Sequence, residues 1–241
     1  PFKDENPNSK YKYIALSGTN DTGGLFSFYS NDGINFKKFK NQAVIKHDPN
    51  YYEYDSQNIA FWSETENQYI CYFRRLINGL RSFSRSSSKD FENWSTPINI
   101  FPNLEGEHLY TSGIQPYFRA THIYIGLSTR FFPENGNSTD IVLISSRDGV
   151  KFDRTFKEAF IRPGLDPGKW ENRSNYITLN LVPLDESYMG IFARNSLYKI
   201  RMDGFSSVNS GFKGGFFITK PFKFMGNTME INYATSAGGF I

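Results

Sequence analysis

Ser30-Asn31-Asp32-Gly33-Ile34-Asn35-Phe36, Ser88-Lys89-Asp90-Phe91-Glu92-Asn93-Trp94 and Ser146-Arg147-Asp148-Gly149-Val150-Lys151-Phe152 share one pattern, Ser-x-Asp-x-x-x-aromatic. The serines stand 58 residues apart at each step. A weaker fourth echo, Asp203-Gly204-Phe205, lacks the serine. Serine and aspartate suit a tight turn because their short side chains bond nearby backbone N–H groups. The glycine of two copies admits a positive φ, and the closing aromatic tucks under the turn. The pattern is read first as architecture.

The same strand grammar surrounds each copy. A β-rich run comes first (11–16, 69–73, 123–127, 188–192), and a second leads into the motif (25–29, 81–86, 141–145, 197–201). A short outer run follows (97–101, 156–161), and another run opens the next unit (57–62, 113–118, 176–182). No segment carries helical periodicity. Four strands in about 58 residues is the arithmetic of a β-propeller blade. One such sheet cannot cover both its faces, whereas radial stacking buries each against a neighbour. The 241 residues hold about four units.

The sequence therefore predicts an all-β propeller with four-stranded blades over 1–210. Only the polar stretch 1–10 precedes the first run, so the expectation is a five-bladed parent whose N-terminal blade is missing here. Residues 211–241 leave the repeat, with Gly-Gly at 214–215 and 238–239 and alternating Phe216, Ile218, Phe222 and Phe224. They are expected to form a β-hairpin or the start of a β-sandwich.

Composition narrows the function. A net charge of +3, with no basic run, argues against a nucleic-acid partner. No stretch nears 18 apolar residues, so no membrane span is expected. Cys71 is the single cysteine and excludes an internal disulfide; in its apolar run a buried, inert thiol is expected. His47, His108 and His122 lack zinc spacing. No cofactor or metal is expected, and nothing in the sequence supports a structural Ca²⁺. Pro1 opens the chain without an initiator Met, which is read as a processed or truncated segment of a secreted or periplasmic protein. Aromatics reach 17%. They fit pleated half-buried surfaces, and a flat ring also covers the apolar face of a pyranose.

Ligands of propellers bind at one mouth of the central channel, so polar residues opening the innermost strands are the candidates. Asp55, in Tyr54-Asp55-Ser56-Gln57-Asn58, is the clearest, although Asp and Ser also open strands for structural reasons. His108, Tyr110 and Gln115 open the next unit with groups suited to sugar hydroxyls. Trp170-Glu171-Asn172-Arg173 offers an acid, a charge partner and a stacking platform. Arg74, Arg75 and Arg130 supply planar donors for carboxylate or hydroxyl recognition. Glycosidic hydrolysis needs two carboxyl groups, one protonating the leaving oxygen and one acting as nucleophile or base. Asp55 and Glu171, on different units, are the candidate catalytic pair.

The runs at 54–58, 108–111, 145–149 and 162–164 with Trp170 resemble bacterial glycosyl hydrolase-like proteins. Through them they resemble the five-bladed propeller glycosidases of glycoside hydrolase families 32 and 43. The resemblance spans about residues 1–210. It implies a carbohydrate substrate and an Asp, a second Asp and a Glu around the channel, with Asp55 matching one Asp and Glu171 the Glu. The signature motifs of family 32 are absent, and no comparable carboxylate opens the unit near His108. Two other readings stand beside the glycosidase. One is a sialidase-like enzyme, from the turn repeats and the arginines. The other is a non-catalytic carbohydrate-binding propeller, from the incomplete carboxylate set.

Overall fold

The computed structural model describes residues 1–236 and 238–239; Ala237, Phe240 and Ile241 lie outside the described residues. The chain forms four antiparallel sheets in a four-bladed β-propeller arrangement. The first holds β1 (Phe2–Lys3), β2 (Tyr13–Thr19), β3 (Gly24–Ser30), β4 (Lys37–Lys38) and β5 (Ile45–Lys46). The second runs β6 (Ile59–Ser63), β7 (Gln68–Ile77), β8 (Leu80–Ser88) and β9 (Ile98–Ile100). The third holds β10 (His108–Thr111), β11 (Ile114–Tyr117), β12 (Ala120–Phe132) and β13 (Ser138–Ser146). The fourth holds β14 (Ile177–Pro183), β15 (Tyr188–Ala193) and β16 (Ser196–Arg201). A short 3₁₀ turn, Pro167–Trp170, precedes β14.

Alternation along the middle strands shows why the sheets stack. On β7, Tyr69, Cys71 and Phe73 face the first sheet, packing with Ile14 and Leu25. Ile70 and Tyr72 face the third, packing with Tyr124, Val142 and Ile144. On β12 and β13, Ile125, Leu127, Ile141 and Leu143 turn to the fourth sheet, against Ile177 and Ile191. Period-two side-chain placement thus gives each middle strand two buried faces. Each fully buried aliphatic or aromatic side chain contributes roughly 1.5–3 kcal/mol relative to exposure. Cys71 is fully buried, and burial pushes its thiol pKa up, away from reactivity.

The three turns are superposable in their bonding. Asp32 Oδ1 accepts from the N–H of Ile34 and Asn35 at 2.9 and 2.8 Å. Asp90 does so from Glu92 and Asn93 at 2.9 and 2.7 Å, and Asp148 from Val150 and Lys151 at 2.9 and 2.7 Å. Each serine hydroxyl donates to its aspartate. These N–H donors hold Asp32 and Asp148 below the ordinary carboxylate range, led by the bonds from Asn35 and Lys151. The residue after the aspartate has φ +77° at Gly33, +68° at Gly149 and +65° at Phe91. Phe91 accepts that conformation because its ring is buried among Phe2, Tyr69 and Trp94. The fourth echo differs. Asp203 accepts a 2.6 Å bond from the Tyr117 hydroxyl of the neighbouring sheet, and no serine turn forms.

Two further differences from expectation appear. Phe2 and Lys3 do pair with Ile14 and Tyr13, giving the first sheet a two-residue opening strand anchored by the Phe2 ring on Phe91. The described residues of 211–241 form no strand, and Phe212, Phe216, Ile218 and Phe224 are exposed. Their alternation finds no sheet edge to pair with, and alternation alone does not make a strand.

Candidate functional site

The opening strands bring their leading residues to one end of the blades. β6 lies against β2 on one side and β11 on the other. At the turn end, Tyr72 donates to the Gly149 carbonyl at 2.5 Å, and the Tyr124 hydroxyl bonds Ser63 and Glu66. At the opposite end, the segment before β6 crosses the end of β7: the Tyr54 N–H donates to the Arg74 carbonyl at 3.1 Å, and Glu53 bridges Arg75. Tyr54 sits at φ +62°, fixed by burial, by Phe73 at 4.9 Å and by its hydroxyl bond to Lys46. That kink delivers Asp55 to Arg74.

Asp55 Oδ2 accepts from Arg74 Nη2 at 2.7 Å, and the Tyr52 hydroxyl stands beside the same carboxylate. The Arg74 side chain is 1% exposed and the Asp55 side chain 53%. Tyr52 lies beside them, with Arg74 5.5 Å from its ring centroid. The Asp55 charge, then burial, raise its phenol pKa.

Tyr110, buried on β10, is the centre of the cluster. Three guanidinium carbons stand over its ring, Arg74 at 5.0 Å, Arg81 at 5.1 Å and Arg173 at 5.5 Å from the centroid. Tyr176 meets the ring edge-on at 5.5 Å. Burial, then Tyr110, raise the Tyr176 pKa. Arg81 and Arg173 also flank Phe131, at 4.7 and 5.8 Å. Arg173, at φ +54°, is held there because its N–H donates to the Asn137 carbonyl at 2.9 Å while Asn175 bonds Thr139. His108 Nδ1 accepts the Arg81 N–H at 3.2 Å, which leaves the ring proton on Nε2. Burial, then the Arg81 charge, lower the His108 pKa, with Glu134 opposing.

Of the residues singled out from sequence, Asp55, Arg74, His108, Tyr110 and Arg173 thus meet. The others do not join them. Arg75 is consumed by Glu53, Nε to Oε2 at 2.7 Å, and by Asn99 at 3.1 Å, with Tyr51 under its guanidinium. Arg130 forms a two-pronged pair with Asp140 at 2.9 and 2.7 Å. Gln115 is half-buried on β11, and its side chain makes no hydrogen bond among the described residues. Trp170 is exposed and donates to the Gly164 carbonyl at 2.9 Å. Glu171 is exposed and forms no ion pair, with Arg173 or any other described residue.

Sequence reasoning missed Arg81, Tyr52, Tyr176 and Phe131. The available signal was positional. Arg81 opens β8 across from Leu76, just past the Asn78-Gly79 turn, and Tyr176 immediately precedes an opening strand as Asn58 does. Two surface clefts lie elsewhere, one beneath the turn at 30–32 and one beside Phe2 and residues 57–60. The Tyr110 cluster is the stronger candidate because it gathers charged and aromatic groups from the second and third sheets and from the loop leading into the fourth. Among the described residues no group of three or more His, Cys, Asp or Glu is placed to hold a metal ion, and no helix is long and apolar enough to cross a membrane.

Solved structures resemble the chain in fold. An α-L-arabinanase of Penicillium chrysogenum, in complex with arabinobiose, matches at TM-score 0.52 and 9% identity over 83% of this chain and 60% of its own. A glycoside hydrolase matches at TM-score 0.50 and 12% identity over 70% of this chain and 52% of its own. An N-acetylgalactosamine deacetylase from F. plautii, in complex with blood group B trisaccharide, matches at 0.49 and 11% identity over 79% and 66%, too loosely to bear on the fold. The chain spans roughly half to two thirds of the length of these structures. No family model and no curated protein matches it. The arabinanase-type propeller fits the family 32 and 43 resemblance of the sequence, and the chain has that glycosidase-like β-propeller fold.

Proposed function

We propose that the chain is the propeller of a glycoside hydrolase cleaving a poly- or oligosaccharide by paired-carboxylate chemistry. The observation that carries this reading is Asp55, a half-exposed carboxylate with one oxygen fixed by buried Arg74, whose guanidinium stands over the rings of Tyr52 and Tyr110. A base or nucleophile needs that combination of fixed orientation and exposure. Glu171, before β14 as Asp55 is before β6, is assigned as the proton donor to the leaving oxygen. The exposed Tyr52 ring is offered to an apolar sugar face, and His108 Nε2–H and Arg173 donate to hydroxyls. A secreted or periplasmic setting is part of the same proposal.

The test is hydrolysis of a panel of arabino-, xylo-, galacto- and fructo-oligosaccharides. Asp55→Asn and Glu171→Gln are each expected to lower turnover about 10²–10⁴-fold, the range for a positioned acid or base. Turnover unchanged in both variants would reject the assignment. The isolation of Glu171 from any charged partner favours a second reading, a carbohydrate-binding propeller without catalysis. Saccharide binding with no turnover on any panel member would select it.

A further inference from the structure

Most buried arginines of this chain are neutralised locally. Arg75 has Glu53, Arg85 has Glu66, Arg130 has Asp140, and Arg154 has Glu107, each at 2.7 Å or less. The Tyr110 cluster breaks that rule. Its three guanidinium groups make a single side-chain hydrogen bond between them, Arg74 to Asp55. No acidic side chain among the described residues lies within ion-pair distance of Arg81 or Arg173. Arg81 is half-buried, its Nε is shut off from water without a partner, and Arg173 is exposed beside it.

Gathering like charges around one ring has a cost. Unpaired guanidinium donors forgo strong charge-assisted bonds, and neighbouring cations repel more strongly where water is excluded. Cation–π contact with Tyr110 and Phe131 offsets part of it. Burial, then the charges of Arg74 and Arg173, lower the Arg81 pKa. The surplus is spatially sorted. Asp55 neutralises Arg74, and Arg81 and Arg173 remain, each over both Tyr110 and Phe131. Two planar donor sets gathered at the same pair of rings match an oxyanion carried on a ring.

We propose that Arg81 and Arg173, with Tyr110 beneath them, form a subsite for an anionic sugar residue bearing a carboxylate or a sulfate ester. This rests on the reading that this end of the propeller binds carbohydrate. It adds that the saccharide is acidic, and that the charge is read by arginines from the second sheet and from the loop leading into the fourth. His108 supports the site by holding the Arg81 backbone.

Calorimetric titration of the full chain with matched pairs tests this. One pair is a trigalacturonate and its methyl ester; the other is a sulfated galactan oligosaccharide and its desulfated form. Binding of one acidic member about tenfold or more tighter than its neutral twin, weakening as salt rises, is expected, since hydrogen bonds to a charged group are stronger than those to a neutral one. The pair that shows the preference identifies carboxylate or sulfate. Arg81→Gln and Arg173→Gln should each cut the preference about tenfold. Arg173 is exposed, so its variant is expected to fold, and near-ultraviolet circular dichroism checks both. Equal binding of charged and neutral members, or a preference that survives both substitutions, overturns the acidic subsite while leaving carbohydrate binding in place. If none of the four probes, and no member of the neutral panel above, binds, both the subsite and the carbohydrate reading fall.

Discussion

Arg74 Nη2 donates to Asp55 Oδ2 at 2.7 Å across a steep gradient of exposure, the guanidinium buried and the carboxylate half in water. Water screens the open side, so the pair is worth less than a fully buried one. Replacing Asp55 with Asn strands a buried cation and is expected to cost about 1–2 kcal/mol, below the 3–5 kcal/mol of a fully enclosed pair. Arg74→Met removes the buried charge as well and should cost no more than Asp55→Asn. Urea unfolding midpoints of the two variants check the order. A clearly worse Arg74→Met would mean that Arg74 stabilises through Tyr52 and Tyr110 more than through its ion pair.

Glu107 gives an acid-sensitive contact between the third sheet and its outer loop. Arg154 binds both its oxygens at 2.7 and 2.9 Å, and Arg130 stands 3.6 Å away. Burial pulls the carboxyl pKa up, but the Arg154 bonds, the Leu104 N–H and the two arginine charges outweigh it and hold the group below its ordinary 4.5. The folded chain therefore takes up this proton less readily than the unfolded one. The stability it contributes is complete above pH 4.5 and is lost as pH falls through the lowered value. Arg154→Met should cost about 3–5 kcal/mol at pH 7, because it leaves a buried carboxylate short of its main partner. The loss of unfolding free energy between pH 7 and pH 4 should be smaller in the variant than in the parent, other lowered carboxyls contributing equally to both; identical losses would dismiss the mechanism.

Phe91 holds a backbone conformation that two sister turns give to glycine. Phe91→Gly relieves about 1–2 kcal/mol of left-handed strain but empties a site whose aromatic truncations cost about 3–5 kcal/mol. The expected net is a loss of about 1–4 kcal/mol in thermal unfolding. A stabilised variant would show that the ring's packing is worth less than its strain. Gly149→Ala should destabilise too, since φ is +68° and the new Cβ would lie 2.9 Å from the Tyr72 hydroxyl oxygen.

Tyr110 is the ring on which the arginines converge. Tyr110→Leu keeps the bulk but removes the π face, and saccharide affinity is expected to fall about tenfold. Tyr110→Phe retains the face and should lose much less. Equal losses in the two variants would point to the hydroxyl rather than the ring.

The propeller was legible because its signals are short-ranged. A Ser-x-Asp turn closes over a few residues, and alternation along β7 or β12 is visible without knowing what lies opposite. The site was legible only as far as position reached. Asp55, His108 and Arg173 stand at strand entrances, and entrances share one end. What separates Arg74 from its neighbour Arg75 is not in the sequence: one points to a half-exposed aspartate, the other to buried Glu53, and partner choice depends on segments 19 or more residues away. Arg81 escaped notice for the same reason, since its partner Tyr110 lies in the next blade. Alternation in 211–241 misled because a strand exists only against an edge, and the described residues there meet none.

The two ends of the blades differ in the reach of their bonds. Each aspartate closes its turn with N–H groups two and three residues on, whereas the Tyr110 cluster draws on positions from Tyr52 to Tyr176. Loosening the second or third sheet, or the loop into the fourth, would disperse the cluster while those short-range bonds persist. Substitutions buried deep between blades, far from any ligand, should thus silence recognition while the repeat's own signature persists, so a chain can keep its shape in outline and still be blind.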